Sequence, residues 1–443
     1  MGFAHGDARE QTMMFPPTLE ELVPQEHVCR VIDAFVSGLR MTDLQFVRAE
    51  PAETGRPGYD PRDLLKLYLY GYLHQIRSSR RLEAECKRNV EVMWLLGRLQ
   101  PDHKSIAEFR RLNREAVSAS GAQLIRLARK VGLIRGEWVA IDGSKFRAVS
   151  SAESVHEREN VQRYLDELEK ADQQEEVHID PSAVAAALKE LELHPEPDAH
   201  FMRTPQGKLP AYNVQVAVDA EHAIIVAQQV TTERNDMFSL LPMAVAAQQA
   251  VGVPAVLQVV ADTGYSNAVQ VEACEERGIL AHVPPQRAMN NQGDGTLYDR
   301  RSFTYDEVND SFRCPAGQTL RRGQVQKDRK RVAYQASAEV CAACPLKSQC
   351  TRTRKRTVYR HLYERTLERM RQRTTAEAMR LRRSVAEHPF ATLKYRIFGH
   401  PKFLLRGRAG AATEISFATM VYNLKRMIRV LGLQQLKSEM VLA

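Results

Sequence analysis

The 443-residue sequence predicts an α/β fold, a mixed sheet preceded by an all-helical region. Three observations predict it. Between Thr18 and about Gly132, apolar residues recur at helical spacing. From Trp138 onward, short β-favouring runs alternate with helical stretches. Two of those runs lead directly into an acid, Asp142 and Asp262.

Residues 1–17 read as loosely ordered. Thr18 with Glu21 forms a capping box that opens a helix to about Leu39. A Pro/Gly-rich linker fills 50–58. Asp60-Pro61 then reads as N-cap and first residue of a helix with the stripe Leu64, Leu65, Tyr68, Leu69, Tyr72, Leu73, Ile76. Ser105 with Glu108 opens a short helix, and 121–131 is helical again. Trp138 to Ile141 forms a buried-type strand ending at Asp142. The stretch 150–200 reads as an acidic helical insertion, its second helix capped by Asp180-Pro181. Residues 213–218 and 223–230 read as a hairpin around a solvated turn at Asp219. An apolar helix follows over 238–250, and Asp236 before it reads as its cap. Next come a strand over 256–261 ending at Asp262, a helix, and a strand over 280–283. That order is the mixed five-stranded sheet of the ribonuclease-H-like fold. Residues 286–365 form a basic, Cys-rich insertion, 367–397 a strongly helical stretch, and Phe417 to Leu431 a last packed helix closed by Gly432. The expected domains are therefore 1–132, helical, for DNA binding, dimerisation or plain structural support, and 133–435, bearing the site and both insertions.

Hydrophobic content of 44% and charged content of 26% are those of an ordinary soluble protein. No apolar run approaches the roughly 20 residues that span a bilayer, and no secretory signal stands at the start, so a cytosolic protein without a membrane partner is expected. The net charge of +9 points to a polyanionic partner, most simply nucleic acid. Between Arg321 and Arg360, twelve Lys/Arg face two acids. Between Glu153 and Glu192, twelve acids face four bases, which reads as a solvated face. Cys29, Cys86 and Cys274 are scattered and read as buried thiols. Cys314, Cys341, Cys344 and Cys350 cluster, and one C-x2-C knuckle with two further cysteines suits a tetrahedral structural zinc; reduced thiols or an iron–sulfur cluster are the alternatives.

Three acids carry the candidate chemistry: Asp142, Asp262 and Glu387. In a ribonuclease-H-like fold the first and fourth strands are neighbours and a late helix packs across them. Such carboxylates repel unless divalent cations neutralise them, and hard oxygen ligands select Mg²⁺ or Mn²⁺. Two such ions would drive in-line phosphoryl displacement. Arg380, Arg383, Glu387 and Lys394 fall within about 60° on an ideal helix. An ordinary solvated Arg–Glu face would look similar, and Pro389 should kink or break the turn before it. His388 reads as local support.

These residues resemble a known family, the DDE transposases of bacterial insertion sequences whose third motif reads Tyr-x2-Arg-x3-Glu-x6-Lys. Arg383, Glu387 and Lys394 in R-S-V-A-E-H-P-F-A-T-L-K keep its spacing, with Arg380 at the tyrosine position. I-D-G-S-K around Asp142, V-A-D-T-G-Y around Asp262, and the helical stretches Gly71 to Glu83 and Pro101 to Arg110 are also similar to that family. The resemblance covers about 15–430. It implies that Asp142, Asp262 and Glu387 ligate catalytic Mg²⁺ or Mn²⁺, and that Arg383 and Lys394 hold DNA phosphates, with Arg380 able to join them. It further implies cleavage at the terminal inverted repeats, joining of 3′ ends to target DNA, and a homodimer or larger synaptic assembly on double-stranded DNA. The place of action would be the bacterial cytoplasm, at the nucleoid. A metal-dependent nuclease without strand transfer, and an inactive DNA-binding repressor, are the competing expectations.

Overall fold

The computed structural model describes residues 18–441 except 52, 55–56, 173–180, 253–255, 285–296 and 329. The expected loose order of 1–17 and the Asp180 cap lie outside the described residues. Helices come first: α1 Val28–Ser37, α2 Pro61–Leu73, α3 Ser79–Arg88, α4 Val90–Leu95, α5 His103–Leu112 and α6 Arg114–Lys130. Strand β1 is Trp138–Arg147, followed by α7 Ala152–Asp172 and α8 Pro181–Leu193. Then come β2 His200–Thr204, β3 Gly207–Asp219, β4 Ile225–Thr231, α9 Leu240–Val251, β5 Leu257–Val260, α10 Ala268–Glu275 and β6 Ile279–His282. A second set follows: β7 Thr304–Asp306, β8 Ser311–Arg313, β9 Thr319–Gln326, β10 Arg331–Gln335, α11 Ala338–Ala342, α12 Lys347–Cys350 and β11 Thr357–His361. The chain closes with α13 Glu364–Arg373, α14 Ala376–Ala391, α15 Gly407–Leu431 and α16 Leu433–Val441. Two compact units divide it: 1–235 with 246–254 and 383–443, and 236–245 with 255–382.

In the first unit, local chemistry sets the helix starts. Asp60 accepts from the Arg62 N–H at 2.8 Å with Pro61 in the first turn. Two starts differ from the sequence reading. The Thr18 cap opens only a 3₁₀ turn, Leu19–Leu22, and α1 begins after Pro24, which cannot donate to a continuing helix. Helix α5 begins at His103, because the Asp102 carboxylate accepts from both Lys104 and Ser105 N–H and outcompetes the Ser105 box. Tyr68 and Tyr72 of α2 stack on Phe417 of α15, with ring centroids 4.8 and 5.3 Å apart. Such pairs contribute about 0.5–1.5 kcal/mol beyond the area they bury. The carboxylate of Glu414, fully buried on α15, accepts from Arg77 (2.9 Å), Leu404 N–H (2.6 Å) and Leu405 N–H (2.7 Å). On the same helix, Asn423 exchanges two hydrogen bonds with the Ile225 backbone, as an extra rung on β4. Gly432 ends α15 at φ +79°, a conformation that costs a Cβ-bearing residue.

Strand β3 is the spine of this unit's sheet. It pairs antiparallel with β1 from Val139↔Asp219 to Arg147↔Ala211. Its other edge takes β2 along residues 207–211 and β4 along 213–218. The hairpin is where expected, but β2 escapes the sequence reading, since H-F-M-R-T looks like the tail of the acidic insertion. Asp219 is not solvated. It is fully buried and accepts from Gly136 N–H (3.0 Å) and Glu221 N–H (3.1 Å), and burial pushes its carboxyl up.

In the second unit, β5 and β6 are parallel, with α10 returning between them. Residues 304–361 form a five-stranded antiparallel sheet in the order β11-β10-β9-β8-β7. Its core is Phe303, Phe312, Leu320, Val332, Tyr334 and Val358. The late helical stretch is broken at Thr374 into α13 and α14. Cys29, Cys86 and Cys274 are each fully buried.

Glu414→Ala should destabilise the protein by about 3–5 kcal/mol, because it leaves the Arg77 guanidinium buried without its counter-charge. Urea unfolding measures this; a change under about 1 kcal/mol would contradict the assignment.

Candidate active site

Asp142 lies within β1, not at its tip. β1 continues to Arg147, because β3 is long enough to pair with it throughout and because segment 401–403 closes the far end. There Arg147 N–H donates to Pro401 O (2.8 Å) and Phe403 N–H to Arg147 O (3.0 Å). The Asp142 carboxylate is half-buried and accepts from Gly143 N–H at 3.0 Å. Two-residue alternation puts Asp142, Ser144 and Phe146 on one face. Phe146 is fully buried against Phe398 and Phe403.

Lys394 lies over that face. Its Nζ is 5.5 Å from the Phe146 ring centroid. Burial holds its ammonium below the ordinary lysine range; the Asp142 charge opposes that shift and Lys145 adds to it. A cation that is partly desolvated beside a carboxylate is placed to meet an anion that approaches the same acid.

Glu387 is exposed on α14, as are Arg380 and Arg383. The opposite side of that helix buries Val385, Ala386 and Phe390. The helix runs through Pro389 to Ala391 and then widens into a π turn, Thr392–Ile397, which carries Lys394. The 100° spacing behind the single-face reading therefore fails at Lys394. A π segment turns less per residue, and here it presses Lys394 inward while Glu387 stays in solvent. Widened turns of this kind recur at functional sites. His388 is exposed, and burial with the Arg426, Arg429 and Arg396 charges lowers its basicity.

In the second unit, Asp262 stands two residues beyond β5. It caps a single 3₁₀ turn, Thr263–Tyr265, its Oδ1 accepting from Gly264 N–H at 2.8 Å. The Arg382 guanidinium is 3.7 Å from its Oδ2. A Cβ at Gly264 would stand 2.9 Å from Asp262 Oδ1 and 3.7 Å from Asp236 Oδ2. Asp236 is thus a neighbour of Asp262, which the sequence reading missed. Nothing in R-N-D-M marks a residue twenty-six positions upstream as close in space.

Cys314, Cys341, Cys344 and Cys350 line one cavity of about 30 Å³, together with Leu320, Val340 and Arg356. Cys314 Sγ accepts from Gln318 N–H at 3.3 Å in a turn that Gly317 closes at φ +76°. Burial raises the Cys350 thiol; Arg356 opposes this, and the other three thiols add to it. The sulfurs are not drawn into a tight cluster. Among the described residues, the only set of three or more such donors within 4.8 Å of one another is His27, Cys29 and Glu91. That set reads as a hydrogen-bond network. His27 caps α1 through Cys29 N–H, Glu91 accepts from Tyr70 OH at 2.8 Å, and burial pushes the Cys29 thiol up to about 12.

No helix among the described residues is long and apolar enough to cross a membrane. Residues 17–112 match the family model described as a transposase domain (DUF772). Residues 192–424, more than half of the chain, match that of the transposase DDE domain. No curated protein matches. Among solved structures, a cryo-EM structure of a piggyBac transposase synaptic complex with hairpin DNA is similar at 8% identity and a TM-score of 0.30, over 94% of this chain and 84% of that one. A likeness this low carries no argument about mechanism.

Proposed function

The chain belongs to the transposase DDE domain family, whose fold is ribonuclease-H-like, and from that premise we propose that it cuts at the ends of its insertion sequence and joins the 3′ ends to target DNA. Asp142, Asp262 and Glu387 are the acids of the site. All three offer carboxylate oxygens with solvent access, hard donors that suit Mg²⁺ or Mn²⁺ and not a softer metal. When bound, such cations supply an activated water or 3′-hydroxyl and neutralise the leaving oxygen. The chain's own cations hold the DNA: Lys394 grips a phosphate beside Asp142, and Arg383 and Arg380 line the approach from α14. The observation that carries this reading is the half-buried Lys394, its Nζ 5.5 Å from the Phe146 ring on the strand face that also carries Asp142. Desolvating a lysine is unfavourable, and an incoming phosphate offsets that penalty. Two element ends must be brought together, so the working form is a homodimer or larger synaptic assembly on double-stranded DNA, in the cytoplasm at the nucleoid. The helical region 1–132 serves DNA binding or dimerisation.

A structural zinc on the four cysteines that line one cavity belongs to the same proposal, and it requires their sulfurs to close in from the looser spacing seen here. That staple braces a surface that carries Arg321 and Arg322 on β9 and Arg352, Arg354 and Lys355 near β11, all exposed. It forms a second phosphate-binding face within 286–365.

Asp142→Asn should lower end cleavage by at least about 1,000-fold, the scale of losing a group that acts only in the transition state. Gel-shift affinity for end DNA should stay within about twofold. Retained Mg²⁺-dependent cleavage would count decisively against this site. Metal analysis of the purified chain should find about one zinc, with the four thiols shielded from a maleimide until a chelator is added. A zinc-free folded protein with all four thiols reactive would refute the staple.

A further inference from the structure

The turn that ends α2, within Gly71 to Glu83, carries neither an acid of the site nor one of its DNA-gripping cations. Its backbone is tightly closed. Ile76 N–H donates to Gly71 O at 2.6 Å and His74 N–H to Tyr70 O at 3.1 Å. A Cβ at Gly71 would stand 2.4 Å from Ile76 O, so glycine permits this closure. Gln75 lies between the two bonds at φ +60°, the left-handed place after a helix that glycine ordinarily takes.

The Gln75 amide is aimed at the π turn that carries Lys394. Its Nε2 donates to Arg396 O at 3.2 Å and to Tyr395 O at 3.5 Å. Both carbonyls belong to the end of the segment Thr392–Ile397, where a helix leaves such groups without an internal partner. A Cβ at Gly399 would stand 3.1 Å from Gln75 Oε1, so glycine also leaves the amide its room. Two residues on, the Arg77 guanidinium lies 4.4 Å over the Phe398 ring. The turn therefore holds the end of the π segment by its carbonyls and by the aromatic ring that follows.

π turns are rare, and the bond from Phe398 N–H to Leu393 O, 2.9 Å, defines this one. Reversion of that end to the α pattern would swing Lys394 away from the Phe146 ring, whose centroid is 5.5 Å from its Nζ. The Gln75 side chain is exposed, so water satisfies the same carbonyls in its absence and little global stability depends on it. What water does not supply is a fixed direction.

We propose that Gln75 is a positioning residue for Lys394: its amide fixes the end of the π turn so that the lysine meets a DNA phosphate. This rests on the reading of Lys394 as a phosphate ligand. The test is the salt dependence of binding by the full-length chain to a duplex carrying the flanking element's end, in EDTA. Each phosphate contact adds about 0.9 to the steepness of log K against log salt concentration. Lys394→Ala should remove about one contact's worth. Gln75→Gly removes no charge, yet should reduce the steepness equally, and the double variant should reduce it no further. The melting temperature of Gln75→Gly should stay at or above that of the wild type, because glycine suits the left-handed place. Wild-type steepness in Gln75→Gly alongside a reduction in Lys394→Ala overturns the role of Gln75 alone. Reductions that add in the double variant overturn it as well. Wild-type steepness in both single variants overturns the phosphate reading of Lys394, and the proposal with it. Should Gln75→Gly fail to fold, Gln75→Met, which keeps the length of the side chain without its donors, takes its place with the same outcomes.

Discussion

A single buried carboxylate, Glu414, ties together the face of the first unit that carries Asp142. It accepts from Arg77 and from the backbone of Leu404 and Leu405, and Arg77 also donates to Lys402 O at 3.1 Å. The segment so held, 401–403, is the one that bonds to the end of β1. Phe398 before it and Phe403 at its end close over Phe146, whose face also carries Asp142 and receives Lys394. One buried charge on α15 thus holds the segment that bonds to the end of β1. Burying an ion pair gains little net stability, and its worth is more often in registry. The placement of 401–403 against β1 is such a registry.

Each unit carries an acid beside a cation: Asp142 with Lys394 in the first, Asp262 with Arg382 in the second. A fixed cation beside each carboxylate favours its charged form. On the proposed reading the same cations meet phosphate, so that one set of charges would serve the resting and the DNA-bound states. The basic sheet of 304–361 and its four cysteines extend this logic to a separate patch of the second unit.

Periodic features were legible in the sequence. The α2 stripe, the hairpin of β3 and β4, the β5 strand before Asp262 and the Gly432 stop all stand where spacing and turn chemistry put them. What escaped depends on partners distant in sequence. Asp142 reads as a strand tip because Gly143-Ser144-Lys145 is weakly β-favouring, yet pairing with β3 carries the strand on to Arg147. Asp219 looks like a turn acid until Gly136 and Glu221 bury it. The five short strands of 304–361 are too polar to announce themselves, since most of β9 faces solvent. The setting of Lys394 depends on a π turn that no propensity encodes. The nearness of Asp236 to Asp262 follows from tertiary folding alone.

The central claim is that this transposase uses its acids to cut and join DNA with a divalent metal. The most direct measurement is end cleavage and joining on the flanking element's end DNA in vitro, with Mg²⁺ or with EDTA, comparing wild type with Glu387→Gln. Joined products from the wild type alone, and only with metal, are the predicted result. Binding without cleavage by the wild type in Mg²⁺, or joining that survives Glu387→Gln, would contradict it.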